Sequence, residues 1–324
     1  MRRTRLAPPR PRPLFWSLAA MALAGCATLG DREPPLVPTR HVIRSGPYAV
    51  YSNVPIAADA PAIRGLKSIE DDVEASLGIR ARADVVPVEV YILDDRESFT
   101  HFLRFYYPDL PPRRAFFVSQ GTQRAVYTYF GDRLGEDMRH EATHALLNVA
   151  VGDLPLWLDE GLAEYFEGPE NRHGKNPEHL ERLPGDLASG WRPDLARLET
   201  LKSVREMTPT DYREAWAWVH YLLKGSNEGK TVLLRYLADL RTKPGGPPLS
   251  ALLKNDGLES GSRMLAHIDR VRALPDAAPA APVATATPAP APTFRLQDGS
   301  AEPVRAGTGA RGGLLGRLRS WVGY

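Results

Sequence analysis

His140-Glu141-Ala142-Thr143-His144, followed after a Gly152-Asp153-Leu154-Pro155 break by Trp157-Leu158-Asp159-Glu160-Gly161-Leu162-Ala163-Glu164-Tyr165, decides how this chain is read. Two His at i and i+4 leave the same side of a helix one turn apart, so both imidazoles can reach one metal ion. The Glu beside the first His is placed as a general base toward the water that such an ion activates. A carboxylate from a second helix completes three protein ligands and leaves a fourth position open, which separates a catalytic site from a structural one. With 8 His in the chain, the five-residue arrangement arises by chance roughly 0.01 times in a sequence of this composition. The competing reading, a solvated helix whose His and Glu pair only with each other, is therefore the weaker one.

Asp132 is a plausible cap for the helix carrying the His pair, which runs to about Val151. Pro155 then precedes a second helix from about Leu156 to Glu167. Three acids on it compete for the third ligand position: Asp159, Glu160 and Glu164. Spacing alone does not choose among them. Glu160 and Glu164 are one turn apart, so both can face the metal, one as ligand and one accepting the N–H of a ligand His. The single Cys, Cys26, excludes an internal disulfide and Cys ligation, which leaves His and carboxylate to hold the ion.

Before the motif the pattern is mixed. Tyr48 to Ser52 reads as a strand. Ile63, Leu66, Ile69, Val73 and Leu77 give a helical rhythm within Ala58 to Leu77, stopped by Gly78. Pro87 to Leu93 alternates like a strand, and Asp94 or Asp95 caps a helix through Tyr106. Ala115 to Ser119 and Ala125 to Phe130 form a hairpin around Gln120-Gly121-Thr122. After the motif, Gly168 to Pro184 reads as a polar surface loop, and helices follow near 193–202, 210–224, 227–242 and 257–273. This predicts an α+β fold: a mixed β-sheet with helices in the first half, a mostly α-helical second half, and the active-site helix at the junction.

The ends are different material. Arg2, Arg3 and Arg5 precede a short apolar run, Leu14 to Ala24, that ends in Leu23-Ala24-Gly25-Cys26. This resembles the lipobox of bacterial lipoproteins, which implies a signal peptide over 1–26, lipidation at Cys26 and attachment to a membrane leaflet by lipid. Ala27 stands where an Asp favours retention at the inner membrane, so the resemblance implies the periplasmic face of the outer membrane. Residues 27–40 read as a linker and 41–273 as one domain. Residues 274–311, dominated by Ala and Pro, read as a disordered tether. Leu314, Leu315, Leu318, Trp321 and Val322 allow a short amphipathic helix over 312–324. A net charge of +2 and no basic stripe with interleaved aromatics argue against nucleic acid as a partner.

The two motifs together resemble the gluzincin metallopeptidases, the thermolysin and M1-aminopeptidase clan, and more narrowly its bacterial peptidase-MA-like families. The resemblance covers roughly residues 115–225. It implies a thermolysin/M1-like zincin domain, one zinc per chain, a peptide or protein substrate, and Glu160 as third ligand beside His140 and His144, with Glu141 as base and Glu164 behind the ligands. Tyr212-Arg213-Glu214-Ala215-Trp216 resembles the following helix of M1-type enzymes, where the Tyr donates to the tetrahedral oxyanion; that implies Tyr212, with His220 as alternative donor. The G-x-M-E-N stretch by which M1 aminopeptidases hold a substrate amine has no counterpart, since Ala125 to Phe130 offers no carboxylate. That edge can still pair with an extended peptide. The expected function is zinc-dependent peptide-bond hydrolysis in the cell envelope. The alternatives are a non-catalytic zinc-fold lipoprotein that binds an envelope partner and hydrolysis of another amide, such as a cell-wall cross-link.

Overall fold

A computed structural model describes residues 36–80, 86–108, 110–168, 174–243, 245–258 and 260–275, together with the backbone of 318–319. The stretch expected as signal peptide (1–26, with Cys26), most of the expected tether (274–311) and most of the segment 312–324 lie outside these residues. Among the described residues no helix is long and apolar enough to cross a membrane.

The first half is a mixed sheet backed by helices. Strands β1 (His41–Ser45), β2 (Tyr48–Ser52), β3 (Val88–Leu93), β4 (Phe116–Gln120) and β5 (Gln123–Tyr129) are ordered β1-β2-β3-β5-β4. The two hairpins, β1–β2 and β4–β5, are antiparallel, and β2–β3 and β3–β5 are parallel. The parallel pairs need crossovers, supplied by α1 (Pro61–Leu77) and by the segment containing α2 (Arg96–Tyr106). Gly121 turns the second hairpin with φ 60°, a left-handed conformation that favours Gly. Period-two alternation sorts β3: Val88, Val90 and Ile92 are buried, and Glu89 and Tyr91 are half-buried. On that second face Tyr51, Tyr91 and Tyr127 stack across neighbouring strands with ring centroids 5.0 and 5.3 Å apart.

The predicted apolar stripe of α1 is buried along its length (Ile63, Leu66, Ile69, Val73, Leu77), and Gly78 ends the helix in the left-handed region at φ 65°. The helix begins at Pro61 rather than Ala58, since Pro at the first position loses no helical hydrogen bond. It packs on α3 (Leu134–Ala150), the helix that bears the His pair. The expected cap at Asp132 is not used: Arg133 occupies that position without a side-chain cap. Arg139 ties three elements together. It pairs with Asp72 at 2.7 Å and donates to the carbonyls of Gly65 on α1 and Phe166 at the end of α4 (Leu156–Phe166).

The second half is helical. α5 (Pro177–Ala188), α6 (Leu195–Leu198), α7 (Pro209–Lys224), α8 (Asn227–Thr242), α9 (Leu249–Asn255) and α10 (Gly261–Ala273) follow α4. The fold is thus α+β, as expected, with a mixed five-stranded sheet and a helical second half. α7 is its centre, buried almost all round and packed by α4, α8 and α10. A capping box of Thr208 and Asp211 and Pro209 at its first turn fix where it starts.

Four expectations are corrected. The stretch 168–184 is not loop throughout, because Asn176 caps α5 and Pro177 opens it. The helix near 193–202 is a single turn, α6. The helix expected over 257–273 begins later, as α10 at Gly261, and a further short helix, α9, precedes it at Leu249–Asn255. At Leu318–Arg319 the backbone forms a two-residue strand, β6, antiparallel to β4, rather than helix. β1, an edge strand with mostly exposed side chains, was also unforeseen.

Gly161 lets α4 and α7 touch. A Cβ there would stand 2.6 Å from the Ala215 carbonyl oxygen, a backbone atom that cannot rotate away. Gly161→Ala is expected to lower stability by about 1–3 kcal/mol, measured by urea unfolding, and to displace Glu160 from α7.

Candidate metal centre

The site grows from how α3 and α4 cross. His144 meets Asp159 and His140 meets Glu167, so later residues on α4 face earlier residues on α3 and the two helices run antiparallel. Glu160 lies between these two contacts. His140 Nε2 and His144 Nε2 are 3.2 Å apart, and Glu160 Oε2 is 3.7 Å from the first and 3.6 Å from the second. These atoms form a triangle whose circumcentre lies about 2.0 Å from each corner, the length of a zinc–nitrogen or zinc–oxygen bond. All three residues are fully or almost fully buried. Both carboxylate oxygens of Glu160 lack a hydrogen-bond partner. A buried carboxylate in that condition is costly unless a cation takes its lone pairs. The donor set therefore fits a metal ion.

The outward nitrogens are held by a second layer. His140 Nδ1 donates to Glu167 Oε2 at 3.1 Å, and His144 Nδ1 lies 3.1 Å from Asp159 Oδ2. This fixes each ring with Nε2 inward. The role expected of Glu164 is filled at His140 by Glu167, seven residues after Glu160 and so two turns along the same face. Glu164 stands behind it. Its Oε2 is 2.8 Å from His179 Nε2 and 3.3 Å from Asn176 Nδ2, and Asn176 also donates to Glu167 Oε1 at 2.9 Å. His140, Glu164 and Glu167 form a second group with metal-ligating potential. It uses the other nitrogen of His140, the one directed at Glu167.

The charges explain the titration. Burial opposes protonation of His140, but its contacts with Glu160 and Glu167 outweigh this and hold the imidazole well above its usual range. Burial likewise opposes charge on His144, while Asp159 and Glu160 push it up to about 10. The surrounding carboxylates thus favour positive charge on the rings, and a dication bound there would meet the same carboxylates. Burial pushes the Glu141 carboxyl up to about 7, against the pull of both His. Glu167 also rises to about 7, through burial and the nearby Glu164.

Three more side chains are buried within electrostatic reach of this cluster. Both Glu141 oxygens, the Tyr212 hydroxyl and both terminal nitrogens of Arg113 are buried without a hydrogen-bond partner. Tyr212, in the first turn of α7, is held above its usual range by burial and by the charges of Glu160 and Glu164, with Glu141 adding to them. The side chain expected as donor thus lies within electrostatic reach of the His–Glu cluster. His220 is not its alternative. Its Nδ1 is 2.9 Å from His267 Nε2 on α10, its ring packs on Tyr165 and Trp216, and burial beside His267 pulls it down to about 3. Two turns separate it from Tyr212, and by the second of them α7 has turned into the helical core.

Sequence reasoning passed over Arg113, Glu167, Asn176 and His179. Glu167 carried a signal, its seven-residue spacing from Glu160. The others reach the site only through the tertiary fold.

Residues 136–245 match a family model described as a protein of unknown function (DUF1570). A comparison with curated proteins gives no match. The matched span takes in α3, α4 and α7, and with them every residue of the cluster except Arg113.

Proposed function

We propose that this protein is a zinc-dependent peptidase of the gluzincin type, with a thermolysin/M1-like zincin domain. His140, His144 and Glu160 would hold the ion, one per chain. The observation that carries this reading is the convergence of unsatisfied buried groups (Glu160, Glu141, Tyr212) on one His pair whose geometry suits zinc. A zinc ion there would supply Lewis acidity toward a water and a peptide carbonyl.

The chain's own groups do the rest. Glu141 takes a proton from the attacking water and passes it to the leaving amine. Its folded value of about 7 in the metal-free site suits a group that must both accept and return a proton near neutral pH. Tyr212 donates its hydroxyl hydrogen to the oxygen that becomes negative as the carbonyl is attacked. Asp159 and Glu167 hold the imidazoles. A purely binding descendant would have no use for Glu141, a carboxylate buried without partners, and this favours catalysis over the non-catalytic alternative. The resemblance of Leu23-Ala24-Gly25-Cys26 to a lipobox supports a reaction in the cell envelope, with lipid on Cys26 as anchor and the periplasmic face of the outer membrane as the location it favours.

The test is cleavage of a peptide library by purified protein, with and without a chelator, alongside zinc analysis. Chelator-sensitive cleavage and about one zinc per chain are expected; metal-free protein that cleaves at the same rate overturns the proposal. Tyr212→Phe is expected to lower kcat roughly 10²-fold with little change in KM, the usual cost of one oxyanion donor. Its thermal midpoint should hold, because the hydroxyl makes no hydrogen bond in the fold.

A further inference from the structure

Arg113 has no part in the mechanism above, and its position is unusual. It lies in Pro111-Pro112-Arg113-Arg114, the segment that leads into β4. That segment is pinned next to the His helix: Arg114 makes a bidentate pair with Asp137, one turn before His140 and Glu141, at 2.9–3.1 Å. The Arg113 side chain is held from within, since Nε donates to the Pro111 carbonyl at 3.2 Å. The residue is only 7 % exposed, yet Nη1 and Nη2 have no partner.

A guanidinium buried with two idle nitrogens is expensive to keep. Glu141, Tyr212 and Glu160 feel its charge, in that order, and Arg205 adds a second positive charge nearby. Arg113 thus lies within electrostatic reach of the same unsatisfied groups, but makes no ion pair with either carboxylate among them. The idle part of a guanidinium is a planar fork, and the group that matches it is a carboxylate.

We propose that Arg113 is a specificity-determining residue that binds a carboxylate of the substrate beside the scissile bond. The inference rests on the peptidase reading. The carboxylate has two possible sources, the free C-terminus of the peptide or an Asp or Glu side chain next to the cleaved bond.

The experiment uses the full chain loaded with zinc and two sets of matched peptides. One set differs only as C-terminal acid against amide, the other as Glu against Gln beside the cleaved bond. Cleavage is followed with wild type, Arg113→Met and Arg113→Lys. Binding of the same peptides to Glu141→Gln, with and without Arg113→Met, is read by fluorescence anisotropy. Wild type is expected to prefer the acidic member of at least one pair roughly tenfold or more, in KM rather than kcat, as a charge-assisted fork contact gives. Arg113→Met should abolish the preference, and Arg113→Lys, which keeps charge but not the fork, should retain part of it. An acid-over-amide preference identifies a C-terminal carboxylate; a Glu-over-Gln preference identifies a side chain. Cleavage without either preference, or a preference that survives Arg113→Met, overturns the inference and leaves the peptidase reading intact. No binding or cleavage of any peptide overturns both. Zinc content and thermal midpoint of the Arg113 variants show whether a lost preference is only lost structure.

Discussion

Glu141→Gln should bind zinc at wild-type stoichiometry and hydrolyse peptides roughly 10²- to 10⁴-fold more slowly, the contribution of a positioned general base. Gln keeps the shape of Glu and cannot accept a proton. Glu141 is also not one of the three groups that form the ligand triangle, so metal content and activity should separate. Equal turnover in the variant would remove Glu141 from the chemistry and with it the proposed mechanism. The same substitution carries a second, opposite signature in metal-free protein. Burial raises the folded Glu141 value from 4.5 to about 7. Stability tied to the protonated form is fully present below the unfolded value and is lost as pH rises through the folded one. Metal-free Glu141→Gln should therefore unfold at a higher temperature than metal-free wild type at pH 8, and the gap should close toward pH 4. Thermal melts across that range check it. A variant that is less active yet more stable is what a site residue retained for function predicts.

How far the chain could be read depended on how local each signal was. The His pair, Glu141 and the two helices that face each other are written in short spacings and a single turn, and these residues meet as their spacing implies. Spacing left Asp159, Glu160 and Glu164 open and only the resemblance pointed to Glu160; the antiparallel crossing of α3 and α4 supplies the geometric reason. Sequence supplies the helices but not the register between them, and that register also puts Glu167 rather than Glu164 on His140. Asn176 and His179 lie in a stretch, 168–184, whose three prolines read as breakers. Pro177 instead stands at a helix start, where its missing N–H costs nothing, and Asn176 before it is a cap. Arg113 sits in a Pro-Pro-Arg-Arg run with no period at all, and only the anchoring of Arg114 by Asp137 on α3 brings it to the site. The edge strand β1 failed for a related reason: its side chains are mostly exposed, so the buried alternation that marks a strand is missing.

Removing a ligand should have the largest effect of all. His144→Ala deletes one corner of a three-residue cluster, and zinc content is expected to fall from about one per chain to near zero, with activity following it. Normal zinc in that variant would sink the site assignment. The metal-free charge pattern gives this prediction a pH dependence with a fixed sign. His140 is held well above its usual range and His144 is pushed up to about 10, so around neutral pH protons compete with zinc for the ring nitrogens. Zinc affinity should rise steadily from pH 6 to pH 9, and binding should release protons. Calorimetry in two buffers of different ionisation heat measures that release directly. The same linkage sets stability. Protonated His144 stabilises the metal-free fold most fully below pH 6.5, and that support is lost as pH climbs toward 10. Zinc takes over where the protons leave, adding about 4 kcal/mol when free metal is a thousandfold above its dissociation constant. The chelator-induced drop in thermal midpoint should accordingly be larger at pH 8.5 than at pH 6 in wild type, and absent at both in His144→Ala.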